Sequence, residues 1–481
     1  MIAQLVARAD QAYLARDWAT ARELQRLIGT THRAVATDLC FALTDAHCAI
    51  ELATPAELET LAPAAGPATG SRREGELVSL IRARIQEACR AGDFLRASCL
   101  LRLIAPLDPT IGGAYHGGLL TRRTTAPARD EAPPRFLADH GIADWSIDAA
   151  RARHRAKRLL LVRRYGFADI PVRRHEANDN IARTARRFGL AVREIDSRAP
   201  AGAATDAYAA RLQDTIADFA PDIVLYDELF LSGVSALPAP AAAIADVLAA
   251  ARARGVRVVK SYSDVWYVVA HGPDSLFAEL GRCYDLVHHC HPAVLDRGSA
   301  PQRAAVFCYP FPTDWPSPTE PAGTLARAGF VGAMHPGSIA RLVWWAEAAR
   351  AGLPLDFIET RHDAAAQRSD LDYVNLLRRY AVSVNFTLRP TGARILTGRA
   401  LEVPLAGGVL VEEDNPDTRY FLRAGIDFVP FETLPDLAAL LPALLADAPR
   451  RRALAAEGHA WVSRYFTGDY FWTGLLRRLY G

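Results

Sequence analysis

Two side chains able to hold a phosphorylated ligand lie one helical turn apart in the sequence Gly398-Arg399-Ala400-Leu401-Glu402. The Arg399 guanidinium can donate paired hydrogen bonds to phosphate oxygens, and the Glu402 carboxylate can accept hydrogen bonds from hydroxyl groups. Nearby small residues, such as Gly407-Gly408, let a ligand approach the backbone closely. The pattern indicates a site for a phosphate ester that carries hydroxyl groups. The alternatives are that Glu402 caps its helix or pairs with Arg399, and that Arg399 is a solvated surface side chain.

The order of elements around this pair, from residue 382 to residue 465, is informative. It comprises a strand ending Asn385-Phe386-Thr387, the helix with Glu402, the run Gly407-Gly408-Val409-Leu410-Val411-Glu412-Glu413, then Thr418-Arg419-Tyr420-Phe421, Phe428-Val429-Pro430-Phe431, a helix over 434–445 and Arg464-Tyr465-Phe466-Thr467. This order resembles the donor-binding half of GT-B glycosyltransferases, particularly the bacterial branch related to the spore-maturation-type family. The resemblance is close here and extends more loosely, through a paired-sheet layout, over much of the remaining chain.

The resemblance implies metal-independent transfer of a sugar from a nucleotide-sugar donor to an acceptor hydroxyl or a protein side chain, with no further cofactor. Such a donor needs basic groups for its diphosphate and a carboxylate for its ribose hydroxyls. Glu402 corresponds to the family's ribose-binding glutamate, Gly332 to the glycine that ends a strand and opens the donor site, and Arg341 to a phosphate-binding basic residue. The predicted donor-binding residues are Gly332, His335, Arg341, Asn385, Arg394, Arg399, Glu402 and Thr418.

Two positions depart from the family's pattern. Arg394 stands where the commoner retaining branch has a glutamate that contacts the donor sugar, which leaves the sugar and the stereochemical outcome open. Gly332-Ala333 replaces the usual Gly-Arg pair, so Arg341 or His335 would have to supply the missing charge.

The acceptor side offers fewer signals. Asp264, in Ser261-Tyr262-Ser263-Asp264, follows an apolar run at the position where the family often places a His or Asp facing the reacting carbon. Asp264 and His271 are therefore the predicted catalytic residues, with Asp264 acting as general base toward the acceptor hydroxyl. The alternative for Asp264 is an N-cap, and Asp227, at the end of another run, can bind substrate or cap a turn.

Other patterns do not predict chemistry. Asp370-Leu371-Asp372 follows a polar loop and favours a helix start over a metal-binding Asp-x-Asp motif. His288-His289-Cys290-His291 alternates between the two faces of a strand and has no second ligand cluster at zinc-site spacing. Dinucleotide-binding, Walker and Gly-x-Ser-x-Gly motifs are absent from the sequence.

The elements that must position these residues are short apolar runs alternating with amphipathic helices, which indicates parallel sheets. The first set of runs lies at residues 159–162, 191–195, 222–226, 256–259, 286–288 and 304–307, and the second at 329–331, 355–358, 382–386, 408–411 and 428–431. A proline-rich connector, 310–321, separates them. The predicted fold class is α/β, with two Rossmann-like doubly wound domains facing across a cleft and an all-α domain before them.

The N-terminal region is predicted to be helical throughout. Tyr13-Leu14-Ala15-Arg16-Asp17-Trp18-Ala19-Thr20-Ala21 is echoed by Ala88-Cys89-Arg90-Ala91-Gly92-Asp93-Phe94-Leu95-Arg96-Ala97, a pair that resembles tetratricopeptide hairpins. An ordinary helical bundle is the alternative. The predicted boundaries are a helical domain at 1–115, a linker at 116–152, an acceptor domain at 153–315, a donor-binding domain at 322–465 and a terminal helix at 466–481 that returns across the cleft.

The composition limits which partners and which cellular compartment are expected for this protein. Lys plus Arg (56) barely exceeds Asp plus Glu (54), so no global basic field for nucleic acid is expected. The start lacks a signal peptide, no apolar run reaches membrane-spanning length, and the seven cysteines lie in apolar segments, which together predict a cytoplasmic protein. The helical region is expected to bind a protein acceptor, with oligomerisation or simple packing as alternatives. The rival interpretations of the whole chain are a non-catalytic scaffold with a degenerate GT-B module and a nucleotide-sugar epimerase.

Overall fold

The computed structural model places most of the chain. It describes residues 2–31, 39–60, 72–116, 132–163, 176–196, 205–227, 242–261, 277, 280–292, 295–296, 298–312, 314–332, 334, 339–359, 369–388 and 394–481. All structural statements below refer to these residues.

The N-terminal region is helical wherever it is described. Its helices are α1 (Ile2–Leu14), α2 (Trp18–Thr31), α3 (Leu39–Leu52), α4 (Pro55–Thr60), α5 (Arg72–Arg90), α6 (Phe94–Ile104) and α7 (Pro109–His116). The two echoed segments form helical hairpins with similar turns. Arg16 and Gly92, at equivalent positions in the two turns, both have a positive φ. Ala21 and Ala97 are both fully buried. The helical prediction is confirmed, whereas the tetratricopeptide resemblance stays a prediction.

The segment predicted as a linker, 116–152, contains packed helices in its described part. These are α8 (Arg135–His140), a 3₁₀ turn (Ile142–Asp144) and the start of α9 (Ile147–His154). Phe136 is fully buried against the aromatic rings of Tyr309 and Phe466. Isolated apolar residues in this polar stretch anchor short helices onto the core, and the predicted domain boundaries stay predictions.

The first sheet has six parallel strands in the order β2-β1-β3-β4-β5-β6. Its elements are β1 (Arg158–Arg163), α10 (Glu176–Phe188), β2 (Ala191–Asp196), α11 (Thr205–Phe219), β3 (Ile223–Asp227), α12 (Ala242–Ala253), β4 (Arg257–Ser261), β5 (Leu286–His289), α13 (Ala300–Ala304) and β6 (Val306–Cys308). Helices on both faces bury the strands on both sides, which explains their continuous apolar runs.

The second sheet has five parallel strands in the order β11-β10-β9-β7-β8. Its elements are β7 (Leu325–Gly332), α14 (Ile339–Arg350), β8 (Leu355–Glu359), α15 (Asp370–Arg379), β9 (Tyr380–Asn385), α16 (Arg399–Leu405), β10 (Leu410–Glu413), α17 (Pro416–Phe421), β11 (Val429–Phe431), α18 (Leu434–Ala446), α19 (Ala448–Tyr465) and α20 (Gly468–Tyr480). The predicted fold class, two doubly wound domains preceded by an all-α domain, is confirmed.

Two apolar cores tie the three parts together. One joins the first sheet to residues of the second domain and to α20, whose Trp472 donates from Nε1 to the hydroxyl of Thr184 on α10, at 3.0 Å. The chain therefore ends on the first domain. The other core joins the N-terminal helices to the second sheet, where Phe94 packs against Trp345 of α14.

Candidate functional site

The strand order of the second sheet creates a switch point between β7 and β9. The chain moves outward from β7 to β8 on one side, and from β9 to β10 and β11 on the other. The connections after β7 and β9 therefore diverge and leave a crevice at the carboxyl ends of these strands, where open α/β sheets bind their ligands. Gly332 ends β7 and Asn385 ends β9.

Arg399 bridges the two strands at this switch point. Its Nε donates to the carbonyl oxygen of Val331 in β7, and its Nη1 lies 3.5 Å from Oδ1 of Asn385 in β9. Within the described part of the chain its hydrogen bonds go to these neutral oxygens and to no carboxylate. A methyl group on Gly332 would lie 2.2 Å from Nη2 of Arg399, so glycine at 332 makes room for the guanidinium.

A second guanidinium lies beside the first. Arg341, in the first turn of α14, is 6% exposed, and its Cζ lies 5.5 Å from the centroid of the buried Phe330 ring. The Cζ of Arg399 lies 5.1 Å from the same centroid. The π face of Phe330 offsets part of the repulsion between the two cations. Two positive charges are thus held together next to the end of β7.

Glu402 lies one helical turn after Arg399. Its Oε2 accepts a hydrogen bond from the Tyr373 hydroxyl on α15, at 2.7 Å, and Oε1 accepts none from a described residue. A methyl group on Gly398 would lie 2.6 Å from Oε1, so the carboxylate folds back over the start of α16. Burial raises the pKa of Glu402, and the charge of Arg399 and the Tyr373 hydrogen bond oppose this rise. One oxygen of a desolvated carboxylate is therefore left to accept from a ligand.

A fully buried polar network lies behind this surface. Asn385 donates from Nδ2 to Thr397 at 2.8 Å and to Oε2 of Glu412 at 2.6 Å, while the Thr418 hydroxyl donates to Oε1 of Glu412. Burial raises the pKa of Glu412 to about 7, against the lowering effect of these hydrogen bonds. Asn385 and Thr418 are fully buried in this network, and their predicted contact with the donor stays a prediction.

Arg394 has its charge compensated. Its Nε lies 3.3 Å from Oε1 of the buried Glu413, whose Oε2 accepts from the backbone N–H groups of Thr387 and Leu388 at 2.8 and 2.9 Å. Arg394 and Glu413 thus hold the residues that follow β9. Its predicted contact with the donor stays a prediction.

A histidine–aspartate pair connects the two domains. His291, two residues beyond the end of β5, lies with Nδ1 2.6 Å from Oδ2 of Asp417 in the first turn of α17. The carboxylate is 1% exposed and the imidazole 16%. The segments that follow β5 in the first sheet and β10 in the second sheet therefore contact each other. In the sequence, His291 stands out only as a potential metal ligand, and Asp417 belongs to no motif that would single it out.

The N-terminal helices contact the same region from behind. Gln86 on α5 donates from Nε2 to the carbonyl oxygen of Met334, between β7 and α14, and to Oε1 of Glu359 at the end of β8, at 3.0 Å. Arg90 donates from Nε to Oε2 of Glu359 at 2.7 Å. The helical region thus contacts Met334, which lies between Gly332 and Arg341 in the chain.

One family model matches the second sheet and the helices that follow it. Residues 327–477 match a family described as glycosyl transferase-like. The matched glycosyl transferase-like segment contains the switch point, both arginines, Glu402 and the buried network, and it leaves the helical region and the first sheet outside. The spore-maturation-type branch stays a prediction.

Several solved structures are similar to this chain over about two thirds of its length. Anabaena HepE, solved with UDP and glucose, has a TM-score of 0.45 and 12% identity, covering 66% of this chain and 98% of that chain. Sucrose-phosphate synthase from Thermosynechococcus elongatus has a TM-score of 0.46 and 13% identity, over 67% and 98%. A UDP-N-acetylglucosamine 2-epimerase described for Listeria monocytogenes has a TM-score of 0.37 and 13% identity, over 66% and 94%. A search of functionally curated proteins found no significant match.

Several predicted residues lie outside the described ranges. These are the catalytic candidates Asp264 and His271 and the donor-site candidate His335, and the same holds for the side chain of Asp227. Among the described residues, no three His, Cys, Asp or Glu side chains form a group that suits a metal ion. His288 is engaged by Ser261 and by the carbonyl oxygen of Tyr309. None of the described helices is both long enough and apolar enough to cross a bilayer.

Proposed function

We propose that this protein is a glycosyltransferase that binds a nucleotide-sugar donor at the carboxyl ends of β7 and β9 and transfers its sugar to an acceptor held by the first sheet. The observation that carries the proposal is Arg399, which spans the switch point and is held by neutral oxygens. A guanidinium with a carboxylate partner would already be neutralised. Here the charge of Arg399 acts on the nearby Glu402 without an ion pair between them, so the guanidinium N–H groups can still donate to an anionic ligand.

The diphosphate is the group that suits this part of the site. Arg341 and Arg399 place two guanidinium groups around Phe330, and Arg341 lies in the first turn of the twelve-residue helix α14, whose N-terminal N–H groups add positive potential. Charge develops on the diphosphate as the glycosyl bond breaks, and fixed donors stabilise it without reorganisation. The pair therefore supports both donor binding and departure of the nucleoside diphosphate.

Glu402 is proposed to bind the ribose hydroxyls of the donor. Tyr373 fixes one carboxylate oxygen, and the other accepts no hydrogen bond from a described residue. A carboxylate with one oxygen held and one open accepts a hydroxyl donor in a defined direction.

The acceptor half supplies the general base in this proposal, from Asp264 or His271. His291 is a further candidate, because a buried Asp417 orients its ring in the arrangement by which a carboxylate orients a histidine base. Replacing each of the three by Asn ranks them. The base is the residue whose replacement lowers kcat and leaves the donor KM unchanged. If all three variants kept the kcat of the wild type, a protein base would be contradicted.

The transfer is proposed to need no metal ion, since the arginines take the role of neutralising the diphosphate. Turnover should therefore persist in EDTA. Loss of activity in EDTA with recovery on adding a divalent cation would overturn this part.

The helical region is proposed to bind a protein acceptor. The exposed large apolar side chains among the described residues, Leu14, Leu27, Leu52 and Leu80, all lie in this region. Because the region shares a core with the second sheet, point variants test the idea better than deletion does. Leu27→Glu should raise the KM for the natural acceptor and leave donor hydrolysis unchanged, and equal effects on both would contradict it.

A panel of UDP-, GDP-, dTDP- and CMP-sugars in a thermal-shift experiment tests the proposed function. One of them should raise the melting temperature of the wild type, because a ligand that binds the native state stabilises it. Arg399→Gln should lose that shift. Arg327→Gln, at the opposite end of β7 in an exposed pair with Asp356, is the matched control and should keep it. No shift with any donor would favour the scaffold, and interconversion of free donor epimers would favour the epimerase.

A further inference from the structure

A second basic site lies at the opposite end of the second sheet from the switch point. A surface cavity of about 240 Å³ is formed where β7, β9 and β10 begin. Its walls include Gly323 before β7, Tyr380 at the start of β9 and Gly407-Gly408 before β10. The cavity is therefore separated from the donor crevice by the length of the strands.

Three arginines line this cavity, and the lining contains no acidic side chain. They are Arg378 at the end of α15, and Arg451 and Arg452 in the first turns of α19. Three guanidinium groups around one small volume repel each other unless an anion lies between them. Their clustering is the first argument for an anionic ligand.

The hydrogen bonds of these arginines go to carbonyl oxygens. Arg378 donates from Nη1 to the carbonyl oxygen of Ala406 at 3.0 Å, and its buried Nε has no hydrogen-bond partner among the described residues. Arg451 donates from Nη1 to the carbonyl oxygen of Leu444 at 2.7 Å. Arg452 makes no hydrogen bond or ion pair within the described part of the chain. These contacts orient two of the guanidinium groups and neutralise none of them.

The backbone around the cavity is shaped to hold the arginines there. Gly407 has φ +73°, and a methyl group on it would lie 2.9 Å from Nη1 of Arg378. The N-terminus of the eighteen-residue helix α19 opens beside the cavity, and Ala448, its first residue, is part of the wall. The first turn of this helix is capped by Asp447, whose carboxylate accepts from the backbone N–H of Arg450, so the arginines supply the positive potential of the cavity.

We propose that this cavity binds a phosphate-bearing anion, at a site distinct from the donor crevice. Arginine forks match the geometry of phosphate oxygens, and the volume suits a phosphate or diphosphate group and excludes a bulky polyanion. The inference does not depend on the proposed function, because its residues lie at the opposite end of the strands from the switch point.

Calorimetric titration with inorganic pyrophosphate tests the proposal. Because the donor crevice would also bind pyrophosphate, the titration is carried out in the Arg399→Gln background. Arg452→Gln should weaken the remaining binding by about tenfold, the loss expected for one charge-assisted hydrogen bond. Arg450→Gln is the matched control, since Arg450 is exposed in the same turn and outside the cavity, and its affinity should stay within about twofold.

Two sources of phosphate are separated by a parallel experiment with vesicles that contain phosphatidic acid. Binding of pyrophosphate that depends on Arg452 supports a soluble ligand, and vesicle binding that depends on Arg452 supports a lipid phosphate. Either result supports the cavity as a phosphate site. The proposal is overturned if neither probe binds, or if Arg450→Gln and Arg452→Gln weaken binding equally.

Discussion

Gln86 donates a hydrogen bond to the carbonyl oxygen of Met334, which lies 248 residues later in the chain. Gln86 belongs to the N-terminal helices, and Met334 lies between Gly332 and the helix that carries Arg341. Both ends of the contact are buried. The helical region therefore packs against the segment that follows β7 and is an integral part of the fold.

Replacing Gln86 by Ala should raise the donor KM by about 3- to 10-fold with a smaller change in kcat. The substitution leaves a buried carbonyl oxygen without its donor, at a cost of about 1–2 kcal/mol, and loosens the connection before Arg341. Steady-state kinetics with varied donor check this. Glu87→Gln is the control, because Glu87 contacts Arg16 and Arg84 within the helical region. An unchanged donor KM in Gln86→Ala would contradict the supporting role.

Gly332→Ala tests the position of Arg399 without removing any charge. The added methyl group would lie 2.2 Å from Nη2 of Arg399, so the guanidinium must move. Loss of one charge-assisted hydrogen bond should weaken donor binding by about tenfold or more. Calorimetric titration of the donor measures it. Gly113→Ala, where a methyl group meets nothing within 4 Å, should bind normally. Normal binding by Gly332→Ala would place the donor elsewhere.

Donor affinity should fall on acidification because of Glu402. Ribose hydroxyls donate stronger hydrogen bonds to the ionised carboxylate than to the protonated form, and burial raises the pKa of Glu402. Protonation, and with it the loss of affinity, should therefore begin at a higher pH than for an exposed glutamate, whose pKa is about 4.3. Measurement of donor KM between pH 5 and 8 checks this. Glu402→Gln should bind weakly at every pH without that trend, and a flat wild-type profile would contradict the assignment.

Glu412 should make the fold less stable as pH rises. Burial holds its pKa at about 7 in the folded protein, against 4.5 as the ordinary value. The folded state therefore binds more protons than the unfolded state between these pH values, and removing the proton costs roughly 3 kcal/mol by pH 8. Urea denaturation at pH 5 and pH 8 measures the change. The wild type should lose stability relative to Glu412→Gln over this range, and a constant difference between them would argue against the raised pKa.

The two sheets could be predicted because parallel strands that are buried on both faces have continuous runs of apolar residues in the sequence. Residues 159–162 and 382–386 show this, since they match β1 and β9 to within two residues at each end. The pair Arg399 and Glu402 was found for a similar reason, because their spacing on one helix is local. Phe136 was missed because a single buried aromatic in a polar stretch has no periodicity.

The partners of the site residues could not be predicted from spacing. Tyr373 meets Glu402 only because α15 and α16 pack against each other, and Arg399 reaches Val331 only because β7 lies beside β9. Strand order is a property of the folded sheet, and the spacing of residues in a single sequence does not reveal it. The same applies to His291 and Asp417, which come from different domains.

The most direct test is a crystal structure of the protein with the nucleotide sugar that gives the largest thermal shift. The proposal predicts that the diphosphate oxygens lie within hydrogen-bonding distance of Arg399, near Arg341, and that a ribose hydroxyl donates to Oε1 of Glu402. A nucleotide bound away from the ends of β7 and β9, with Arg399 still held only by Val331 and Asn385, would contradict it.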